Sequence, residues 1–152
     1  MLSVKRTMLL FVLCLTTAAV TAQSTNLPRT AAFSKQAESM LLAESTLSNA
    51  MLFTKGQQAS IQLGDDFIFP GEVVSNDQVY HNLQTIILRS PAFNNALLQI
   101  SRQTNEDKSV SYAAHIFGNK STDGFELKKS ADGKYVFQKF ETDIILQDCN
   151  LH

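Results

Sequence analysis

The chain has 152 residues, with 13 Lys or Arg against 14 Asp or Glu, a formal charge of −1 at neutral pH. So even a balance gives no electrostatic footprint for nucleic acid or for an anionic membrane. Only two cysteines are present, Cys14 and Cys149. That excludes a small scaffold held together by several disulfides.

The first segment carries two adjacent cations, Lys5 and Arg6, then the apolar run Met8 to Leu15, then Val20-Thr21-Ala22. A charged start, a short apolar stretch and an A-x-A-like end are the parts of a secretory signal peptide, so residues 1–22 are expected to be removed between Ala22 and Gln23. An uncleaved anchor needs about 20 apolar residues, more than this run supplies. A lipid-modified Cys14 needs a small residue before it, and Leu13 stands there. The mature chain, residues 23–152, then carries eleven cations and fourteen acids, a formal charge of −3. About 130 residues suffice for one domain with one core. The expected location is outside the cytoplasm, periplasmic or secreted, with no integral membrane segment left after cleavage. A fold that does not lean on disulfides fits a bacterial envelope protein better than a small animal secreted domain.

Residues 23–30 are polar and contain a proline, which reads as a flexible leader. From Ala31 the pattern changes. Phe33, Ala37, Met40, Leu41, Leu47 and Met51 recur at steps of three and four, with no Pro or Gly up to Phe53. This predicts an amphipathic helix over about 32–52, ended at Lys55-Gly56.

Beyond Gly56 the period becomes two. Strands are predicted over 59–63, 67–74, 82–89, 96–101, 110–117, 125–128 and 135–140. They are separated by turns at Gly64-Asp65-Asp66, Ser75-Asn76-Asp77, Ser90-Pro91, Thr104 to Lys108, Gly118 to Asp123 and Ala131-Asp132-Gly133. Pro70-Gly71 marks an edge, a bulge or a sharp bend. Glu141 to Leu146 has the makings of a short helix, and 148–152 is a polar tail. The expected fold is mainly β (α+β): a small antiparallel β-barrel or curled sheet of 6–7 strands over about 57–140, preceded by the one helix. The whole forms a single domain over 31–149.

Little in this pattern carries chemistry. His81, His115 and His152 are not spaced to share a helix face, and a zinc site needs three or four converging ligands. Asp65-Asp66 and Glu106-Asp107 fall in predicted turns, where such residues bond the local backbone. Asn119-Lys120-Ser121 matches a glycosylation sequon but reads as a polar loop. Tyr80, Tyr112, Phe117, Tyr135 and Phe140 are aromatics that pack a core or, if exposed, form a binding patch. No nucleophile, base and orienting group can be assembled, so the chain reads as non-enzymatic, with no cofactor and no metal of its own. Cys149 stands apart: a lone thiol in the polar tail Gln147-Asp148-Cys149-Asn150 is accessible, and as a thiolate is a metal ligand.

Several strings carry a family resemblance. They are Phe69-Pro70-Gly71-Glu72-Val73-Val74, Ile87-Leu88-Arg89-Ser90, Phe93-Asn94-Asn95-Ala96-Leu97, Ser101-Arg102-Gln103-Thr104-Asn105-Glu106-Asp107 and Asp123-Gly124-Phe125-Glu126-Leu127. Over about 57–149 the chain resembles the N-terminal, pro-domain-like β domain of secreted bacterial zinc metallopeptidases, and is similar in strand rhythm to small OB-like secreted protease inhibitors. The resemblance implies a partner that is a secreted metallopeptidase, which the domain binds, restrains or helps to fold. With the sequence ending at His152, no catalytic domain is expected to accompany it. In the inhibitor version Cys149 would enter the active-site cleft and ligate the zinc. The competing expectation is a structural or accessory envelope protein that packs on another surface component through its helix or an edge strand. A third, a small-ligand barrel, requires an open apolar cavity. Burial of the apolar helix stripe would mark that stripe as scaffold; exposure would mark a partner interface.

Overall fold

The computed structural model describes residues 30–118 and 121–141. The expected signal segment, the expected leader up to residue 29 and the tail beyond residue 141 lie outside the described residues. Eight antiparallel strands and one short helix follow in order: β1 (Ser39–Leu42), α1 (Glu44–Ala50), β2 (Gln58–Gly64), β3 (Phe67–Tyr80), β4 (Leu83–Ser90), β5 (Ala96–Thr104), β6 (Val110–Phe117), β7 (Asp123–Lys129) and β8 (Tyr135–Glu141). From β2 to β8 the chain is a meander, and β1 pairs with β8, giving the sheet order β1-β8-β7-β6-β5-β4-β3-β2. The sheet curls into a half-barrel, the mainly β architecture that the alternating pattern predicts.

Period-two alternation fills the interior. Ile86 and Leu88 of β4, Leu98 and Ile100 of β5, Ala114 and Ile116 of β6, Phe125 of β7 and Phe137 of β8 are all buried. A small barrel is just wide enough for side chains to fill, and this one is packed solid.

The helix is shorter than the period predicts. Residues 39–42 form β1, with Met40 and Leu42 turned inward and Ser39 and Leu41 outward. Only Glu44–Ala50 is helical, burying Leu47 and Ala50. The steps of three and four arise because a strap, a strand and a helix in succession each present apolar residues to one core. Leu42, buried yet outside the helical stripe, is the residue that breaks the helical reading. The sheet therefore has eight strands, one more than the upper expectation.

The predicted turn at Ser75-Asn76-Asp77 is absent, and β3 runs through it with a register shift between Val73 and Ser75. These polar residues serve another purpose: the Asn76 side-chain amide donates to the carbonyls of Met51 (2.9 Å) and Phe53 (2.7 Å). Glu141, predicted to begin a helix, ends β8 instead. Pro70 sits inside β3 opposite Ser60 of β2. Its missing N–H falls where β4 has already given way to the 3-10 turn Pro91–Phe93. The turns at 104–108 and 131–133 form as predicted, with Lys108 and Gly133 at positive φ of 66° and 82°.

β1 and β2 are the two ends of the sheet order, and no backbone ladder joins them. Side-chain packing closes the seam instead. A Cβ on Gly64 would sit 2.9 Å from Met40 Sδ, so the methionine lies directly on the glycine. No helix among the described residues is long and apolar enough to cross a membrane.

Gly124 shows how tight the wall is. A Cβ there would press into the Ile116 carbonyl oxygen and stand 2.8 Å from Phe140 Cζ. Gly124→Ala is expected to cost roughly 1–3 kcal/mol by overpacking, read as a lower Tm in thermal denaturation. An unchanged Tm would mean that β6 and β7 separate freely at this point.

Candidate functional site

The two ends of the barrel are closed differently. At one end the strap of residues 30–38 crosses the opening and inserts Phe33, which is fully buried. Its ring meets Phe93 at 5.3 Å, Phe125 at 5.6 Å and Phe67 at 6.1 Å between centroids. Phe93 in turn stacks on Phe69. The strap is held by polar groups of β7 and β8. The buried Asp123 carboxylate accepts the Ala32 N–H at 2.8 Å (Oδ1) and the Phe33 N–H at 3.0 Å (Oδ2). It also accepts the Ser121 hydroxyl at 2.5 Å. Lys139 Nζ donates to the Gln36 carbonyl at 2.8 Å and pairs with Glu38 at 2.9 Å. At the other end α1 turns Leu47, Ala50 and Met51 into the core.

The apolar stripe read as one helix is thus mostly spent inside. Phe33, Met40, Leu47 and Met51 are buried, while Ala37 and Leu41 are exposed. α1 itself buries Leu47 and Ala50, but with Ala37 and Leu41 exposed the stripe as a whole is not fully buried, and the criterion leaves both readings open.

The residues singled out for chemistry are scattered. His81 lies exposed in the β3–β4 turn, and His115 faces outward from β6. Asp65 and Asp66 sit in the β2–β3 turn, at the rim of a groove of about 610 Å³ along the seam that also includes Lys35, Gln36 and Leu41. Glu106 and Asp107 form the β5–β6 turn. Among the described residues no three His, Cys, Asp or Glu come together in a way that could hold a metal ion. Cys149, His152, Asn119 and Lys120 lie outside the described residues. The third member of the sequon, Ser121, is buried and engaged with Asp123.

The aromatics divide. Tyr135 is buried, and its hydroxyl accepts the Tyr112 N–H at 3.2 Å. Burial is the main cause raising the Tyr112 hydroxyl above its ordinary pKa, with Arg102 opposing it. Phe140 is half-buried. Tyr80 and Phe117 are exposed, Tyr80 by 66%.

Sequence reasoning missed Asp123, Lys139 and Phe33 as a cooperating set. Their partners lie about ninety residues away in the chain, and no local pattern announces them. The one signal was an acid followed by glycine at the start of an apolar strand.

Comparison with protein-family models, with curated proteins and with solved structures finds no match to this chain.

Asp123→Ala would orphan the Phe33 N–H and leave the Ala32 N–H with only its 3.1 Å bond to Ser121 Oγ. A loss of about 2–4 kcal/mol is expected in urea denaturation; a loss under half a kcal/mol, about the level of a neutral surface change, would show that the strap is not held by this carboxylate. On the surface, the Ser109 hydroxyl (2.6 Å), and after it the Ser109 N–H (2.9 Å), hold the Asp107 carboxyl below the ordinary carboxylate pKa. A depressed folded pKa adds stability that is complete above the unfolded value and lost as pH falls through the folded one. Ser109→Ala should therefore move the Asp107 NMR titration midpoint upward; an unmoved midpoint would assign the shift elsewhere.

Proposed function

We propose that the chain is an exported, non-enzymatic binding domain that restrains a secreted zinc metallopeptidase, as an inhibitor acting in trans or as a pro-domain-like module. One observation carries the reading. The barrel interior is filled by Phe33, Phe69, Phe125, Phe137 and the aliphatic rows, and both ends are plugged. Small barrels that bind a ligand keep an apolar cavity open with a few convergent polar groups. A solid barrel offers its outer surface, which suits recognition of another protein. The choice of partner rests on the resemblance of the strings named above to metallopeptidase β domains. In this reading the Cys149 thiolate occupies the open fourth position on the partner's zinc and displaces the catalytic water.

A second reading is favoured by the seam. Among the described residues β1 and β2 each present an edge without a ladder to the groove at the seam, and an unpaired edge there can accept a strand from another chain where Met40 and Gly64 give way. On that reading the domain is an accessory component of the cell envelope.

Titration of the full chain against zinc endopeptidases exported by the same cell separates the two. Dose-dependent loss of peptidase activity is expected, weakened in Cys149→Ser. Full peptidase activity under a molar excess of the chain would reject the inhibitor reading and leave the envelope reading standing.

A further inference from the structure

The β3–β4 hairpin reaches past the barrel. Its inward rows end at Val73 and Ile86, and from Asp77 to His81 every residue is exposed. The arm is nevertheless stiff. Its strands stay paired through Gln78↔Gln84 and Tyr80↔Leu83. At its base Gln84 Nε2 donates to the Met51 carbonyl (3.1 Å) and to Asn76 Oδ1 (2.9 Å), beside the Asn76 bonds to Met51 and Phe53. At its tip the Thr104 N–H donates to the Asn82 carbonyl (2.8 Å), and Asn82 Nδ2 returns a bond to the Thr104 carbonyl (3.3 Å). Neither His81 nor Asn82 is among the positive-φ residues, so the two-residue turn is not of the primed type. The register shift between Gln78 and Tyr80 accommodates it.

This braced tip displays Val79, 49% exposed, and Tyr80, 66% exposed, with Leu52 exposed at the base. Apolar side chains in water add nothing to folding. On a rigid support they are the anchors that protein interfaces use, because little order remains to be imposed on binding. The surrounding charge specifies the partner further. Asp77 on the arm and Glu106 and Asp107 beside Asn82 are exposed acids, with the exposed Lys108 next to them in the β5–β6 turn. Arg102 is turned to the Tyr112 hydroxyl. The acids of the β5–β6 turn line a depression of about 490 Å³ together with Asn82, Gln103 and Asn105.

We infer that the Val79–Tyr80 tip is a second element that enters the partner, beside the tail that carries Cys149. It fits an apolar cleft with a basic rim, here the substrate cleft of an exported zinc endopeptidase, so the inference rests on the inhibitor reading above. The ladder and the Asn82–Thr104 bonds hold the tip in the hairpin, so that it cannot leave β4 and lie along the cleft as a separate substrate strand, and it blocks without being cut.

The test uses the full chain, a zinc endopeptidase exported by the same cell whose primary pocket takes apolar side chains, and a fluorogenic peptide substrate. The double variant Val79→Ser/Tyr80→Ser should raise the inhibition constant about tenfold or more, while Tyr80→Phe keeps most of the potency. Raising ionic strength should weaken the wild type. Thermal denaturation checks that the variants stay folded. Wild-type potency in the folded double variant would overturn the hairpin inference and leave the inhibitor reading intact. No inhibition by the wild type would overturn both.

Discussion

The Asp123 carboxylate gathers the main-chain N–H groups of Ala32 and Phe33 across about ninety residues of sequence, and the rest of the closed end follows from that seat. A curled sheet leaves an opening at each end, and an opening lined by Phe67, Phe93 and Phe125 is costly to leave in water. Phe33 fills it only if its backbone is buried too, and a buried N–H needs an acceptor. The carboxyl group supplies two oxygens to receive these main-chain donors and the Ser121 hydroxyl, where a single hydroxyl or carbonyl would supply one. Ser121, which donates to the same carboxylate, fixes its orientation.

Closure by side chains recurs around the barrel. The seam between β1 and β2 has no ladder and relies on Met40 against Gly64. The opposite end relies on Leu47, Ala50 and Met51 of a helix with no side-chain cap. That helix is too short to persist without tertiary packing, so it is a product of the core and not an independent unit. With the inward rows packed into one core, the β3–β4 arm is left projecting from the barrel. The same polar residues that brace the arm, Asn76 and Gln84, also receive the chain leaving α1, so the fold of the helical end and the stance of the arm are one construction.

The surface acids illustrate how little a residue type reveals by itself. Asp107 and Asp123 are both short carboxylates near a strand end. Asp107 bonds its own turn in water, whereas Asp123 is buried and organises a distant segment. The difference lies in what the sheet brings beside each, and no property of the residue or its neighbours in sequence encodes it.

The sequence by itself determined the run of antiparallel strands from β2 to β8, because alternation of apolar residues sorts each strand's faces and the Gly, Asn and Asp turns space the reversals; their order in the sheet it left open. What it misread were places where non-local partners decide. Residues 39–42 are a strand because β8 offers them an edge, although their spacing also suits a helix. Ser75 to Asp77 continue β3 because Asn76 finds the Met51 and Phe53 carbonyls, although three polar residues ordinarily signal a turn. The burial of Asp123, the seating of Phe33 and the exposure of Val79 and Tyr80 were decided by tertiary structure alone. Local pattern reports which face of an element is apolar, but the free energy of burying a charge or leaving an aromatic in water depends on what the rest of the chain places around it.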